Sequence, residues 1–332
     1  MELGRVDLRG LKPDAPGWDE ARAAVAASMS AHGCVVVVAG GPAPALREAL
    51  FGRVLPELFA LPRDVKLRNA PGEPPYKGYI THGVLESVRI DHADDAGNVR
   101  DFADLIWPGR GNIKSVSAST REMQSLGSAV VRMVLESLDL PENVAASPHA
   151  AVNHVVRLSH YAARPDATEA DGGLSLEAHY DSSFLTVLMQ NEVEGLEVQA
   201  RDAGGSPVPP ERNTCAVIAG ELLMVMTNGR VPACWHRVRD AERAARGSWR
   251  GWEHHVHPLD ELIDGAQSSA VPPYRLRGFR YSNEGRELGN RSRRLGAFCG
   301  VKDKQRWRGT TDHHRQLLGE GYYLNEIIVV GT

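Results

Sequence analysis

The chain is short of several things. Its 332 residues include four cysteines, Cys34, Cys215, Cys234 and Cys299, and no CxxC pair. That argues against a disulfide framework and a thiolate zinc site, and it suits reduced thiols in a cytosolic protein. No apolar run approaches the roughly 20 residues of a membrane span. Residues 1–10 lack the apolar stretch of a secretory signal, so a cytoplasmic location is expected. A formal net charge of -4 gives no electrostatic basis for nucleic acid or an anionic membrane as partner. Internal repeats and low-complexity segments are missing too. What is there is ordinary for a globular protein with a large core: 42% hydrophobic and 24% charged residues.

Apolar spacing predicts helices over residues 17–33, 42–61 and 118–140. The stripes are Trp18, Ala21, Val25 and Met29; then Leu46, Leu50, Val54 and Leu58; then Met123, Leu126, Val130, Met133, Val134 and Leu138. Cys34 to Val38 reads as a buried strand. Residues 66–115 have no steady period and read as loops and short strands. From about residue 151 the chain becomes short β-like runs: 152–161, 175–179, 183–189, 195–199, 214–219 and 222–227. Gly172-Gly173, Gly204-Gly205 and Pro209-Pro210 divide them. Helices first and closely spaced strands later imply an α+β protein, a jelly roll with N-terminal helices packed outside it. The expected divisions are an N-terminal helical and strand region over 1–145, the jelly-roll core over 146–300 and a divergent tail over 301–332. Short helices are expected at Pro258 to Ile263 and Ser282 to Leu288. Tyr322 to Val330 is either a last strand or an apolar tail.

His179, Asp181 and His236 carry the chemistry. In extended backbone, residues two apart point to one side, so His179 and Asp181 can reach one ion; a helix would put them about 200° apart. His236 follows several strands later, and a rolled sheet brings such distant strands face to face. Two imidazoles and one carboxylate make the facial site of non-haem Fe(II) oxygenases, with positions left open for a co-substrate and O₂. Zinc suits the same donors, so a metal-dependent hydrolase is an alternative reading. Each histidine taken alone is more often a hydrogen-bonded core residue, and this chain has 13 of them.

The wording around the triad resembles a family. His179-Tyr180-Asp181-Ser182-Ser183-Phe184-Leu185-Thr186-Val187-Leu188-Met189-Gln190 is similar to the HxD…LT…L.Q segment of plant 2-oxoglutarate/Fe(II)-dependent dioxygenases. Glu194-Gly195-Leu196-Glu197-Val198 resembles that family's GL-V hairpin. Asn228-Gly229-Arg230 through His236-Arg237-Val238 resembles its NGR…HRV segment. Arg157-Leu158-Ser159-His160-Tyr161 stands where the family has R-x-N-x-Y, and Val6-Asp7-Leu8 where it has its opening strand. The likeness runs from about residue 5 to 248 and is nearest to the subgroup that includes enzymes modifying glucosinolate side chains.

The resemblance implies a double-stranded β-helix and Fe(II) on His179, Asp181 and His236, with no catalytic residue beyond the metal centre. It implies 2-oxoglutarate as co-substrate, with ascorbate supporting turnover. Tyr161 would donate to 2-oxoglutarate; Ser159, in place of the family asparagine, would make a shorter contact or none. The family's R-x-S motif maps onto Arg246 and Ser248, so Arg246 would anchor the distal carboxylate bidentately, with Arg294 as rival. The segment after it, Trp249 to His257, departs from the family's apolar strand, so an impaired member that still binds metal is the other alternative. His254, His255 and His257 read as a surface cluster. Ser183, Phe184, Trp235 and Phe298, with Tyr76 and Tyr79, are candidates for the substrate wall. The implied reaction is hydroxylation or desaturation of a small specialised metabolite by a monomer, with release of succinate and CO₂.

Overall fold

The computed structural model describes residues 3–13, 15–38, 41–69, 78–82, 84–107, 113–138, 140, 152–162, 174–181, 183–191, 194–199, 205–239, 255–256, 274–275 and 323–331. Strand β1 (Arg5–Asp7) leads to helix α1 (Trp18–His32) and strand β2 (Cys34–Val38). A helical stretch follows as α2 (Pro44–Ala49), a π turn (Leu50–Val54) and α3 (Leu55–Phe59), then the single turn α4 (Arg63–Lys66). Strands β3 (Tyr79–His82) and β4 (Leu85–Asp91) precede α5 (Ala96–Ile106) and the long α6 (Lys114–Glu136). Next come β5 (Val152–Tyr161), β6 (Leu174–His179), β7 (Leu185–Gln190), β8 (Leu196–Gln199), β9 (Gly205–Pro207) and β10 (Thr214–Ala219). Helix α7 (Glu221–Met226) and β11 (Trp235–Arg239) complete the core. The two-residue strands β12 (His255–Val256) and β13 (Tyr274–Arg275) pair with each other, and β14 (Tyr323–Gly331) ends the chain's described part.

Among the described residues the strands make an eight-stranded sheet, β1-β2-β10-β7-β14-β5-β4-β3, and a four-stranded sheet, β6-β11-β8-β9. This is the expected α+β architecture, and it separates two apolar layers. Val35 and Val37 of β2, Val156 and Leu158 of β5, Leu185, Val187 and Met189 of β7 and Cys215 and Val217 of β10 pack with α1, α5 and α6 in one core. The alternate residues, Cys34, Val36, Leu188, Ala216 and Ile218, pack with Leu196 and Val198 of the smaller sheet in the other. Period-two alternation thus assigns one face of the large sheet to the helices and the other to the smaller sheet.

Two expectations are corrected. Residues 222–227, read as a strand, fold as α7. Leu222, Leu223, Val225 and Met226 are all buried, and an apolar run buried on every side carries neither period clearly. Residues 66–115, read as loops and short strands, contain α5. Asp95 caps it by accepting from the Gly97 N–H at 2.6 Å, and Val99, Phe102, Ala103 and Ile106 face the core. The C-terminal run forms β14, inserted parallel between β5 and β7. The segments 258–263 and 282–288 lie outside the described residues. No helix of the described residues is long and apolar enough to cross a membrane.

Candidate metal centre

The site sits where β6 and β11 run antiparallel. Their register sets His236 directly opposite His179. The chain then leaves β6, and Asp181 follows on the turn into β7. The Nε2 atoms of His179 and His236 lie 3.5 and 3.8 Å from Asp181 Oδ1, and the imidazole centroids are 4.4 Å apart. One ligand atom from each residue falls within 4.8 Å of the other two, the group among the described residues that could hold a metal ion. Asp181 is 8% exposed and His236 3%, while the His179 side chain is more open.

Two close backbone approaches hold this geometry. Gly33 ends α1 at φ 65, its N–H bonding to Met29 O at 2.8 Å. A Cβ there would meet Pro232 O at 2.2 Å, so only glycine lets the segment before β11 pass. Ala219 N–H then donates to Gly33 O and Cys234 N–H to Ala219 O, which fixes the approach to His236. Gly220 does the same for Asp181. A Cβ on Gly220 would stand 1.9 Å from Ser183 O, and the Glu221 N–H donates to Asp181 O at 2.8 Å.

The polar partners suit a cation. His236 Nδ1 is 3.1 Å from Cys234 O; a carbonyl only accepts, so the proton sits on Nδ1 and Nε2 presents a lone pair to the site. Thr186 Oγ1 donates to Asp181 Oδ2 at 2.6 Å and lies 3.1 Å from Ser183 Oγ. Burial pushes the Asp181 carboxyl up, but the charges of His236 and His179, when the imidazoles are protonated, and the hydrogen bonds from His179 and Thr186 outweigh it. They hold the group well below the usual carboxylate range. Ligands bound cis at about 2.1 Å from one ion lie about 3 Å apart, so the observed spacing accepts an ion after a small contraction. The donor set, its burial and the fixed tautomer all fit divalent iron.

Thr186 is the supporting residue that sequence reasoning left without a role. Its LT wording was visible, but its bond to Asp181 depends on the fold of the turn. Ser183, a wall candidate, is 7% exposed and packs into this same network.

Phe184 and Trp235 are two of the wall candidates among the described residues. Phe184 is 1% exposed in the helix-side core. Trp235 precedes His236 on β11, so its ring points to the opposite face, where it packs on Tyr180 with centroids 4.6 Å apart. Tyr79, 2% exposed, donates to Glu86 Oε1 at 2.9 Å in a network with buried Lys66. Ser159 and Tyr161 lie on β5; Ser159 Oγ is 3.1 Å from Ser87 Oγ, and burial pushes the Tyr161 hydroxyl up. Cys34, Cys215 and Cys234 are buried thiols, and burial pushes Cys215 up to about 12, an unreactive packing residue. Arg246, Ser248, Arg294, Phe298, Tyr76, Cys299, His254 and His257 lie outside the described residues.

Residues 152–255, which carry all three ligands, match the 2OG-Fe(II) oxygenase superfamily. The probable 2-oxoglutarate-dependent dioxygenase AOP1.2 of Arabidopsis thaliana is 32% identical over 246 residues, 72% of this chain and 75% of that protein. The dioxygenase for auxin oxidation of rice superposes with a TM-score of 0.66 at 27% identity, covering 82% of this chain and 92% of that one. The Arabidopsis dioxygenase for auxin oxidation 1, solved with 2-oxoglutarate, gives a TM-score of 0.67 at 21% identity over 80% of this chain and 100% of that one, a likeness of fold. These matches decide against the hydrolase reading of the triad. With ligands, fold and relatives in agreement, the chain belongs to the family of 2-oxoglutarate- and Fe(II)-dependent dioxygenases.

Proposed function

We propose that the protein hydroxylates or desaturates a small specialised metabolite in the cytoplasm, consuming O₂ and 2-oxoglutarate and releasing succinate and CO₂. The observation that carries this reading is the convergence of His179, Asp181 and His236 with a protonated His236 Nδ1. Iron(II) bound there supplies the oxidising chemistry. The protein's work is positional: Thr186 orients the carboxylate, Cys234 O orients one imidazole, and burial limits water around the ligands. Tyr161 and Ser159 are assigned to the co-substrate, Arg246 and Ser248 to its distal carboxylate with Arg294 as rival, and Phe298 to the substrate wall. The name of the similar rice structure concerns the oxidation of auxin, which supports a small-molecule substrate.

A second reading, a member that binds iron but turns over poorly, draws on β14. This strand borders β5, and its residues Tyr323 to Gly331 include no lysine or arginine for a carboxylate. One experiment separates the two. Purified protein with Fe(II), ascorbate and 2-oxoglutarate is assayed for succinate, alongside His179→Ala. The dioxygenase reading expects succinate from the wild type and a loss to background, with weakened iron binding, in the variant. Iron binding without succinate supports the second reading; succinate from His179→Ala at the wild-type rate removes the site.

A further inference from the structure

Strands β4 and β5 give one pleat face to the helices, through Val88, Ile90, Val156 and Leu158. The other face therefore carries Ser87, Arg89 and Asp91 on β4 with Arg157, Ser159 and Tyr161 on β5. The same alternation on β7 puts Thr186 and Leu188 on that face, and Thr186 holds the iron ligand Asp181. Register through β14 levels Arg157 with Leu188, since Ile328 pairs with both. Two strand spacings of about 4.8 Å and two residues of about 3.3 Å put the Arg157 and Thr186 Cα atoms roughly 12 Å apart. An arginine side chain covers much of that distance.

Arg89 stands directly opposite Arg157. Like charges so placed repel. Asp91 Oδ1, 2.7 Å from Arg89 Nε, offsets one of them, and Arg157 Nη1 donates to Ser87 Oγ at 3.3 Å. Arg157 and Asp181 both act on Tyr161: burial pushes its hydroxyl up, the guanidinium pulls it down and the carboxylate pushes it up again. The cationic pair and the metal ligand therefore share one neighbourhood. A planar guanidinium is the group that takes a carboxylate bidentately.

We propose that Arg157, backed by Arg89, forms a carboxylate-binding subsite beside the iron centre. The proposal rests on the dioxygenase reading above. Its carboxylate is that of the organic substrate, since the distal end of 2-oxoglutarate is assigned to Arg246 or its rival Arg294.

The test uses the full chain loaded with Fe(II), as wild type, Arg157→Gln, Arg157→Lys and Arg89→Gln. One arm measures the KM for 2-oxoglutarate in succinate release. The other titrates phenylacetate and its methyl ester without O₂, at saturating 2-oxoglutarate, by tryptophan fluorescence. A KM for 2-oxoglutarate raised about ten- to a hundredfold in Arg157→Gln would place the subsite on the co-substrate and overturn the proposal. An unchanged KM with phenylacetate binding weakened by that factor, and the ester unaffected, assigns it to the substrate. Melting curves check folding; should Arg157→Gln not fold, Arg157→Lys and Arg89→Gln read the same constants. The proposal is overturned if the folded variants keep both constants within twofold of wild type, or if the KM holds and the wild type binds acid and ester alike. A wild type that makes no succinate counts against the dioxygenase reading instead, and the binding arm still reports on the subsite.

Discussion

Thr186→Val tests how the iron centre is held. Valine keeps the branched shape and removes the hydroxyl, so packing survives while Asp181 Oδ2 loses its 2.6 Å donor. Both residues are buried, Thr186 at 0% and Asp181 at 8% exposure, so water does not readily replace that donor. A hydrogen bond to a charged group contributes about 1.5–3 kcal/mol, and outer-shell partners of metal ligands typically contribute about 10–100-fold in affinity. The expected result is Fe(II) binding weakened by about 10–100-fold, read by anaerobic titration of the fluorescence of Trp235, next to His236. Thr186→Ser keeps the hydroxyl and should stay within a few-fold of wild type. The variant without metal should also melt a few degrees lower, because the carboxylate is buried with one partner fewer. If Thr186→Val bound iron within twofold of wild type, the hydroxyl would have no part in orienting Asp181 and the argument would fail.

Two further outcomes follow from the same geometry. Gly220→Ala places a methyl 1.9 Å from Ser183 O, so the backbones must part by more than an ångström. A loss of about 1–3 kcal/mol in denaturant unfolding, together with weaker iron binding, is expected, and wild-type values for both would contradict the close approach. Tyr79 is raised to about 12, by burial first and then by its hydrogen bond to the Glu86 carboxylate. Its folded value exceeds the unfolded value of about 10, so its contribution to stability is complete below pH 10 and is lost as pH rises from there towards 12. Urea unfolding across that window should fall more steeply for wild type than for Tyr79→Phe; parallel slopes would remove Tyr79 as the cause.

Much of this molecule is legible in one dimension. The stripes of α1 and α6 and the alternation of β5, β7 and β10 are local patterns, and burial of one face reads directly from them. The pairing of His179 with Asp181 is legible for the same reason, since extended backbone turns residues two apart to one side. Resemblance of the flanking words added the family. Where local pattern was ambiguous the reading failed. The run 222–227 is apolar without period, so tertiary packing sets it as a helix, whose first residue donates its N–H to Asp181 O. Helix α5 had its cap and its stripe, but they lay among turn-forming residues.

What the sequence determined by itself is the donor set, the type of the strongly periodic elements and the family, because each is encoded in the identity and spacing of neighbours. What only the tertiary structure decided is convergence. The β6–β11 register brings His236 opposite His179, the turn at Gly220 points Asp181 at both, and Thr186 reaches it from β7. Parallel entry of β14 between β5 and β7 likewise sets which residues stand level with Arg157. These relations join residues far apart in the chain. No local spacing encodes them, because strand order and register are fixed by the packing of whole sheets.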